Sequence, residues 1–90
     1  MEAMIMVSEE VVVHSATGLH LRPAGELAER TSKYHSRIYL TSGNKETSGE
    51  SLLGLLSLGI KEGTRIKVTC EGMDEDEALK STVDFLKTLK

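Results

Sequence analysis

Apolar and polar residues alternate along this chain with a period that changes several times, and each change marks an element. Glu9 to His14 reads E-E-V-V-V-H. Consecutive β-branched residues favour a strand, with Val11 and Val13 toward a core and Val12 and His14 on the other side. From Leu21 to about Lys33 the spacing becomes helical, with Ala24, Leu27, Ala28 and Thr31 forming one stripe. Gly25 inside that helix costs about 1 kcal/mol of propensity relative to alanine, which an exposed or closely approached position tolerates. Arg37 to Thr41, R-I-Y-L-T, alternates again and sets Ile38 and Leu40 against Arg37, Tyr39 and Thr41. Ser42-Gly43-Asn44 is a turn signal, and Lys45 to Ser48 returns as the polar second arm of a hairpin. Polar outer positions imply a sheet with one solvated face.

Ser51 precedes a leucine-rich piece, Leu52 to Ile60, that Gly59 and Gly63 limit to about two helical turns. Ser51 suits its N-cap. Leu55 and Leu58 are the inward leucines, which leaves Leu52, Leu53 and Leu56 as a partly exposed apolar patch. Thr64 to Glu71 alternates with Ile66, Val68 and Cys70 inward. A closing helix opens with Asp74 as N-cap and Glu77 in the capping-box position. Its stripe is Ala78, Leu79, Thr82, Val83, Leu86 and Leu89, with Phe85 at the edge and Lys80, Lys87 and Lys90 toward the C-terminal end. The order β-α-β-β-α-β-α predicts a small α+β fold: a four-stranded antiparallel sheet with three helices on one face. Element order alone also admits a ferredoxin-like ligand-sensing module.

Composition narrows the function classes. Ninety residues suit one domain with a modest core. Eleven Lys plus Arg against fourteen Asp plus Glu give a net charge of −3, which disfavours a nucleic-acid partner. Cys70, the one cysteine, has no partner for an internal disulfide and fits a reducing compartment. Residues 1–6 carry an early acid, no basic n-region and too few apolar positions for a signal peptide or a spanning segment. A cytoplasmic protein without membrane insertion is the expectation. His14, His20, His35 and Cys70 lack the short-spaced ligand pair of a zinc site, so neither a metal nor another cofactor is expected.

The stretch with chemical promise is Thr17 to Glu26, T-G-L-H-L-R-P-A-G-E. Gly18 permits a tight bend, and Pro23 fits a first helical turn, where its missing N–H is not needed. His20 then stands at or just before a helix N-terminus, with Arg22 two residues on. Unpaired N–H groups and the positive dipole end make that an anion site. A neutral imidazole can attack a phosphoryl group and hold it transiently, while the amides and a guanidinium take up the oxygens. The plain alternative is a solvated His–Arg pair in a loop.

G-L-H-L-R-P-A resembles the active-centre signature of the histidine-containing phosphocarrier protein family, HPr, of the bacterial sugar phosphotransferase system. E-S-L-L-G-L-L-S-L-G, Glu50 to Gly59, resembles that family's second signature, in the same order and at the same separation. The resemblance covers Val7 to Leu89, leaving residues 1–6 as a leader to a domain at 7–90. It implies the open-faced sandwich of the family and phosphorylation of His20 on Nδ1 by Enzyme I, with phosphoenolpyruvate as ultimate donor and IIA proteins or domains as acceptors. Arg22 would reorganise around the phosphate, Leu21 and Pro23 would supply backbone and helix start, and Leu52, Leu53 and Leu56 would dock partners. Ser51 matches the serine modified, in the Gram-positive branch, by an HPr kinase/phosphorylase. Such proteins carry phosphate between enzymes, as monomers, and do not turn over a substrate alone.

Two departures from the family pattern stand out. Glu26 and Glu29 share the first helix with Arg30 and Lys33, and Glu50 stands where a basic residue commonly precedes the regulatory serine; rim charges of this kind govern encounter and partner rejection. Gly54 resembles the Gram-positive S-x-x-G form. A second function class is therefore a regulatory paralogue that binds a transcription regulator through Ser51 and the leucine patch, and an alternative destination for the phosphate is a dihydroxyacetone kinase system. Retention of His20, Arg22 and Pro23 favours the carrier.

Overall fold

The computed structural model describes residues 6–89. The leader expected at residues 1–6 lies, but for Met6, outside them. Seven elements follow in order: β1 (Val7–Val12), α1 (Leu21–Thr31), β2 (Arg37–Ser42), β3 (Lys45–Ser48), α2 (Leu52–Ser57), β4 (Arg65–Glu71) and α3 (Glu75–Thr88). The strands form one antiparallel sheet in the order β1-β4-β2-β3. This is the expected α+β fold, a four-stranded open sheet with three helices. β4, last in sequence, sits inside the sheet because both of its flanks are used: Val11 pairs with Ile66 on one side, and Ile38 with Cys70 on the other.

That register puts every inward residue on one face. Val11, Ile38, Leu40, Ile66, Val68 and Cys70 are buried there, whereas Arg37, Arg65 and Lys67 stand exposed on the other. The buried face is roofed by α3 over β1 and β4 and by α2 beside β3, with α1 packed between those two helices. Leu27 of α1, Leu55 of α2 and Leu86 of α3 are fully buried and meet in one core with the strands. Removing that much apolar surface from water is the main driving term for so small a domain.

Several ends differ from expectation. β1 starts at Val7 and stops at Val12, yet Val13 stays buried, and its N–H donates to Thr64 O at 3.0 Å while its carbonyl accepts from Gly63 at 2.7 Å. β4 begins at Arg65, because Thr64 closes a turn onto Lys61, whose N–H donates to Thr64 Oγ1 at 2.9 Å. α1 ends at Thr31 short of Lys33, its last turn tightened by bonds from Lys33 N–H to Arg30 O and from Tyr34 N–H to Thr31 O. Phe85 is not at the edge: it is buried, with the Arg30 guanidinium 5.1 Å from its ring centroid.

The capping box expected at Asp74 and Glu77 is absent. Asp74 does precede α3, but its carboxylate reaches across the chain and accepts from His35 N–H and Ser36 N–H, both at 2.9 Å, and from Ser36 Oγ. The α1–β2 corner offers orphan donors, and a charged acceptor there forms stronger bonds than it would with its own helix. Glu75 takes the neighbouring role: its Oε1 accepts from Gly72 N–H at 3.0 Å.

Candidate functional site

His20 is the N-cap of α1, in extended backbone, and its side chain is exposed and makes no capping bond. Its carbonyl accepts the first helical bond, from Ala24 N–H at 2.9 Å. Pro23 occupies the third helical position, the last whose N–H has no carbonyl to meet. Among the described residues, the N–H groups of Leu21 and Arg22 find no acceptor. Arg22 is exposed and has no ion pair among those residues, and the first turn of α1 holds no acid to neutralise it. An exposed imidazole, two open amides, a helix N-terminus and an unpaired guanidinium therefore meet at one place, the combination that suits a tetrahedral dianion.

Main-chain packing fixes this corner. Ser15 to Gly18 form a turn, with Gly18 N–H donating to Ser15 O at 3.1 Å and Ser15 Oγ 3.2 Å from Thr17 Oγ1. Gly18 has φ +69°, and a Cβ there would overlap Ile60 O, so only glycine allows the two backbones to approach. The next residue locks the contact: Leu19, buried, donates from its N–H to Ile60 O at 3.1 Å. The loop that carries His20 is thus stapled to the segment leaving α2. The sequence holds only half of this signal, a glycine of the right kind without the segment it packs against.

Ser51 caps α2 as expected, its Oγ accepting from Gly54 N–H at 3.0 Å. Gly54 is required for packing, since a Cβ would overlap Thr47 Oγ1 of β3. Ser51 is not beside His20. The start of α1 is tied to the end of α2 at Ile60, while the end of α1 is tied to the start of α2 by Thr31 Oγ1 donating to Gly49 O at 2.6 Å. The helices run antiparallel, and the eleven residues of α1 place the two sites on the order of 15 Å apart. Of the three patch leucines, Leu53 is 80% exposed, whereas Leu52 and Leu56 are half-buried against the core.

The later charged residues of α1 and of the turn after it group elsewhere. Glu26, Glu29, Arg30 and Lys33 line, with Tyr34 and Phe85, a groove of about 440 Å³ that includes neither His20 nor Arg22. Burial pushes the Cys70 thiol up to about 11, and the carboxylates of Glu75 and Asp74 add to it, so this cysteine is an inert core side chain. His14, His20, His35 and Cys70 are not gathered, and no group of three or more His, Cys, Asp or Glu among the described residues could hold a metal. No helix among them is long and apolar enough to cross a membrane.

A small α+β layer pair that presents a histidine and an arginine at a helix start, both without an ion pair among the described residues, has the form suited to an exposed anion-binding domain, and comparison with known proteins narrows it. The family model described as the PTS HPr component phosphorylation site matches residues 7–88. Phosphocarrier protein HPr of Haemophilus influenzae is 34% identical over 85 residues, 94% of this chain and 100% of that protein. The HPr-like protein Crh of Halalkalibacterium halodurans is also 34% identical, over 82 residues that cover 91% of this chain and 98% of the relative. A crystal structure of HPr from Bacillus anthracis superposes with a TM-score of 0.88 at 32% identity, covering 91% of this chain and 98% of that one. The chain belongs to the HPr family, the histidine-containing phosphocarriers of the bacterial phosphoenolpyruvate-dependent sugar phosphotransferase system.

Proposed function

We propose that this protein carries a phosphoryl group on His20, accepting it from phospho-Enzyme I and passing it to IIA proteins or domains. The observation that carries the reading is the exposed His20 ring at the N-cap of α1, beside two open amides and the unpaired Arg22. A ring nitrogen lone pair forms the new N–P bond as the bond to the donor's leaving group breaks, and that group keeps the electron pair. The phosphoryl oxygens then take up the Leu21 and Arg22 N–H groups and the guanidinium fork, which offset charge as it shifts toward the protein. Pro23 keeps the helix start in place without competing for a donor. The reverse sequence of bonds delivers the group to an acceptor. No turnover of a small substrate is required of a cytoplasmic, monomeric carrier working this way.

Incubation with phosphoenolpyruvate and Enzyme I is expected to add one phosphate, acid-labile and base-stable, and His20→Gln is expected to abolish it. Labelling that persists in the variant rejects the assignment.

A second reading concerns Ser51. Its hydroxyl is half-buried in a cap bond at the start of α2, and the match to Crh equals in identity the match to HPr. Phosphorylation there by an HPr kinase/phosphorylase would put about −1.5 to −2 charges at a helix N-terminus, which accommodates them. With Leu52, Leu53 and Leu56 adjoining, the modified surface would disfavour Enzyme I and favour a transcription regulator. Ser51→Asp that binds Enzyme I as well as Ser51→Ala does would reject this regulation.

A further inference from the structure

The sheet has two edges, and the fold closes only one of them. β3 is four residues long, and α2 packs beside it with Gly54 against Thr47. β1 is six residues long and has β4 as its single strand neighbour among the described residues. Just past its end, Val13 exchanges bonds with Thr64 and Gly63 on the β4 side. Antiparallel pairing alternates, so Val11, Glu9 and Val7 face the same way, while Ser8, Glu10 and Val12 aim their N–H and C=O groups out of the sheet. Such a row of open donors and acceptors is a template for a further strand.

A groove runs beside that template. Val68 is buried on the helix-covered face, and Glu9, its register partner, shares that face. One stripe of α3, from Asp76 through Leu79 and Val83 to Lys87, lines with Glu9 a groove of about 280 Å³. Side chains of an added strand that stand opposite Glu9 would enter this groove, and those opposite Glu10 would stay on the solvated face.

The charge of the groove decides what those side chains must be. Lys80 is held by Asp84 at 3.1 Å, whereas Lys87 reaches Glu9 only at 3.9 Å. Asp76, also exposed, has no ion pair among the described residues. A long cationic side chain fits this arrangement, its stem along the half-buried Leu79 and its head at Glu9 and Asp76. A second copy of this chain fits poorly, because pairing β1 with itself brings the Glu9–Glu10 acids of the two copies together.

We propose that the open edge of β1 is a strand-addition site for an extended segment of a partner protein with Lys or Arg at alternate positions. The segment pairs with Ser8, Glu10 and Val12 and lays its cationic side chains in the groove between β1 and α3. The site shares no residue with the His20 corner, so it stands or falls without the phosphocarrier reading.

The test uses the full chain and a blocked, alternating valine–lysine peptide of about seven residues, enough to span β1. Amide hydrogen exchange at Ser8, Glu10 and Val12 is expected to slow about tenfold at saturating peptide, with Leu19 unchanged. A valine–glutamate peptide of the same length is expected to leave exchange unaltered, as is a valine–lysine peptide N-methylated along its pairing edge. Glu9→Lys and, off the sheet, Asp76→Lys are each expected to raise Kd about tenfold, with thermal melts confirming the fold. Absence of slowing with the valine–lysine peptide overturns the proposal. Equal slowing by the acidic peptide removes the charge argument, and equal slowing by the methylated one removes strand pairing; either result overturns it. Variants that bind as wild type does overturn it by taking the groove out of the site. Slowing at the three amides that grows with protein concentration alone, together with a dimer in sedimentation, gives the edge to a second copy and overturns it too.

Discussion

Thr31→Val keeps the shape of a fully buried side chain and removes one hydroxyl, the group that donates to Gly49 O at 2.6 Å. Gly49 is buried, so its carbonyl loses this donor where water cannot readily replace it. The loss should cost about 1–3 kcal/mol, the range for stranding one partner of a buried hydrogen bond. At about 4–8 °C of Tm per kcal/mol for a domain of this size, the transition should fall by about 5–20 °C. Thr82 supplies the matched control. It is equally buried, but its Oγ1 has no hydrogen-bond partner among the described residues, so Thr82→Val removes a desolvated group that returns nothing. That change should be neutral or stabilise by up to about 1 kcal/mol. Urea and thermal unfolding measure both, with an unchanged m-value showing that only stability moved. Hydrogen exchange adds location: Thr31→Val should speed exchange at Ser51, whose N–H donates to Ser48 O next to Gly49, and leave the amide of Leu19 as it was. Equal effects from the two threonines would refute the premise that pairing, and not burial, separates them.

Two helical glycines should respond in opposite directions. Gly25→Ala meets nothing within 4 Å and should gain about 1 kcal/mol from propensity, whereas Gly54→Ala should lose stability despite the same propensity gain, because Thr47 Oγ1 occupies the space; thermal melts that rank them the other way would contradict the packing described. Arg22→Ala should leave the melting temperature unchanged and slow phosphoryl transfer by about tenfold or more, the loss of a charge-assisted clamp, and equal rapid-quench rates would remove Arg22 from that role. Hydrogen bonds from Ser36 Oγ, His35 N–H and Ser36 N–H hold the Asp74 carboxyl below its ordinary value of 3.8. A depressed folded-state pKa stabilises above the unfolded value and loses that contribution as pH falls through the folded one. The Tm gap between wild type and Asp74→Asn should therefore be widest near neutrality and close below about pH 3.8; a gap constant from pH 7 to about 2.5 would show that the charge is not what holds the corner.

What the sequence made legible was local. His20 and Ser51 were placed as helix starts because capping depends on residues within one turn, and Ile66, Val68 and Cys70 were placed inward because a strand's period is two. What escaped it was set by residues far apart in the chain. Asp74 has the composition of a capping box, and only the fold shows that His35 and Ser36, some 38 positions away, outbid its own helix for the carboxylate. The seating of β4 between β1 and β2, the clamp of Gly18 on Ile60 and the occupation of Gly54's side by Thr47 are of the same kind. Leucine counting around Ser51 likewise finds the apolar patch but not its gradation, since Leu52 and Leu56 pack partly against the core while Leu53 stands clear.

The staple between Gly18, Leu19 and Ile60 is made almost wholly of backbone atoms. A frame of that kind does not depend on which side chains surround it, so Leu21, Glu50 or Leu53 can be exchanged without shifting the ring of His20. Placement and recognition then become separate inheritances of one short surface: a lineage, or an engineer, can redirect the protein to a new partner by repainting the border and never reopen the question of how the His20 ring is set.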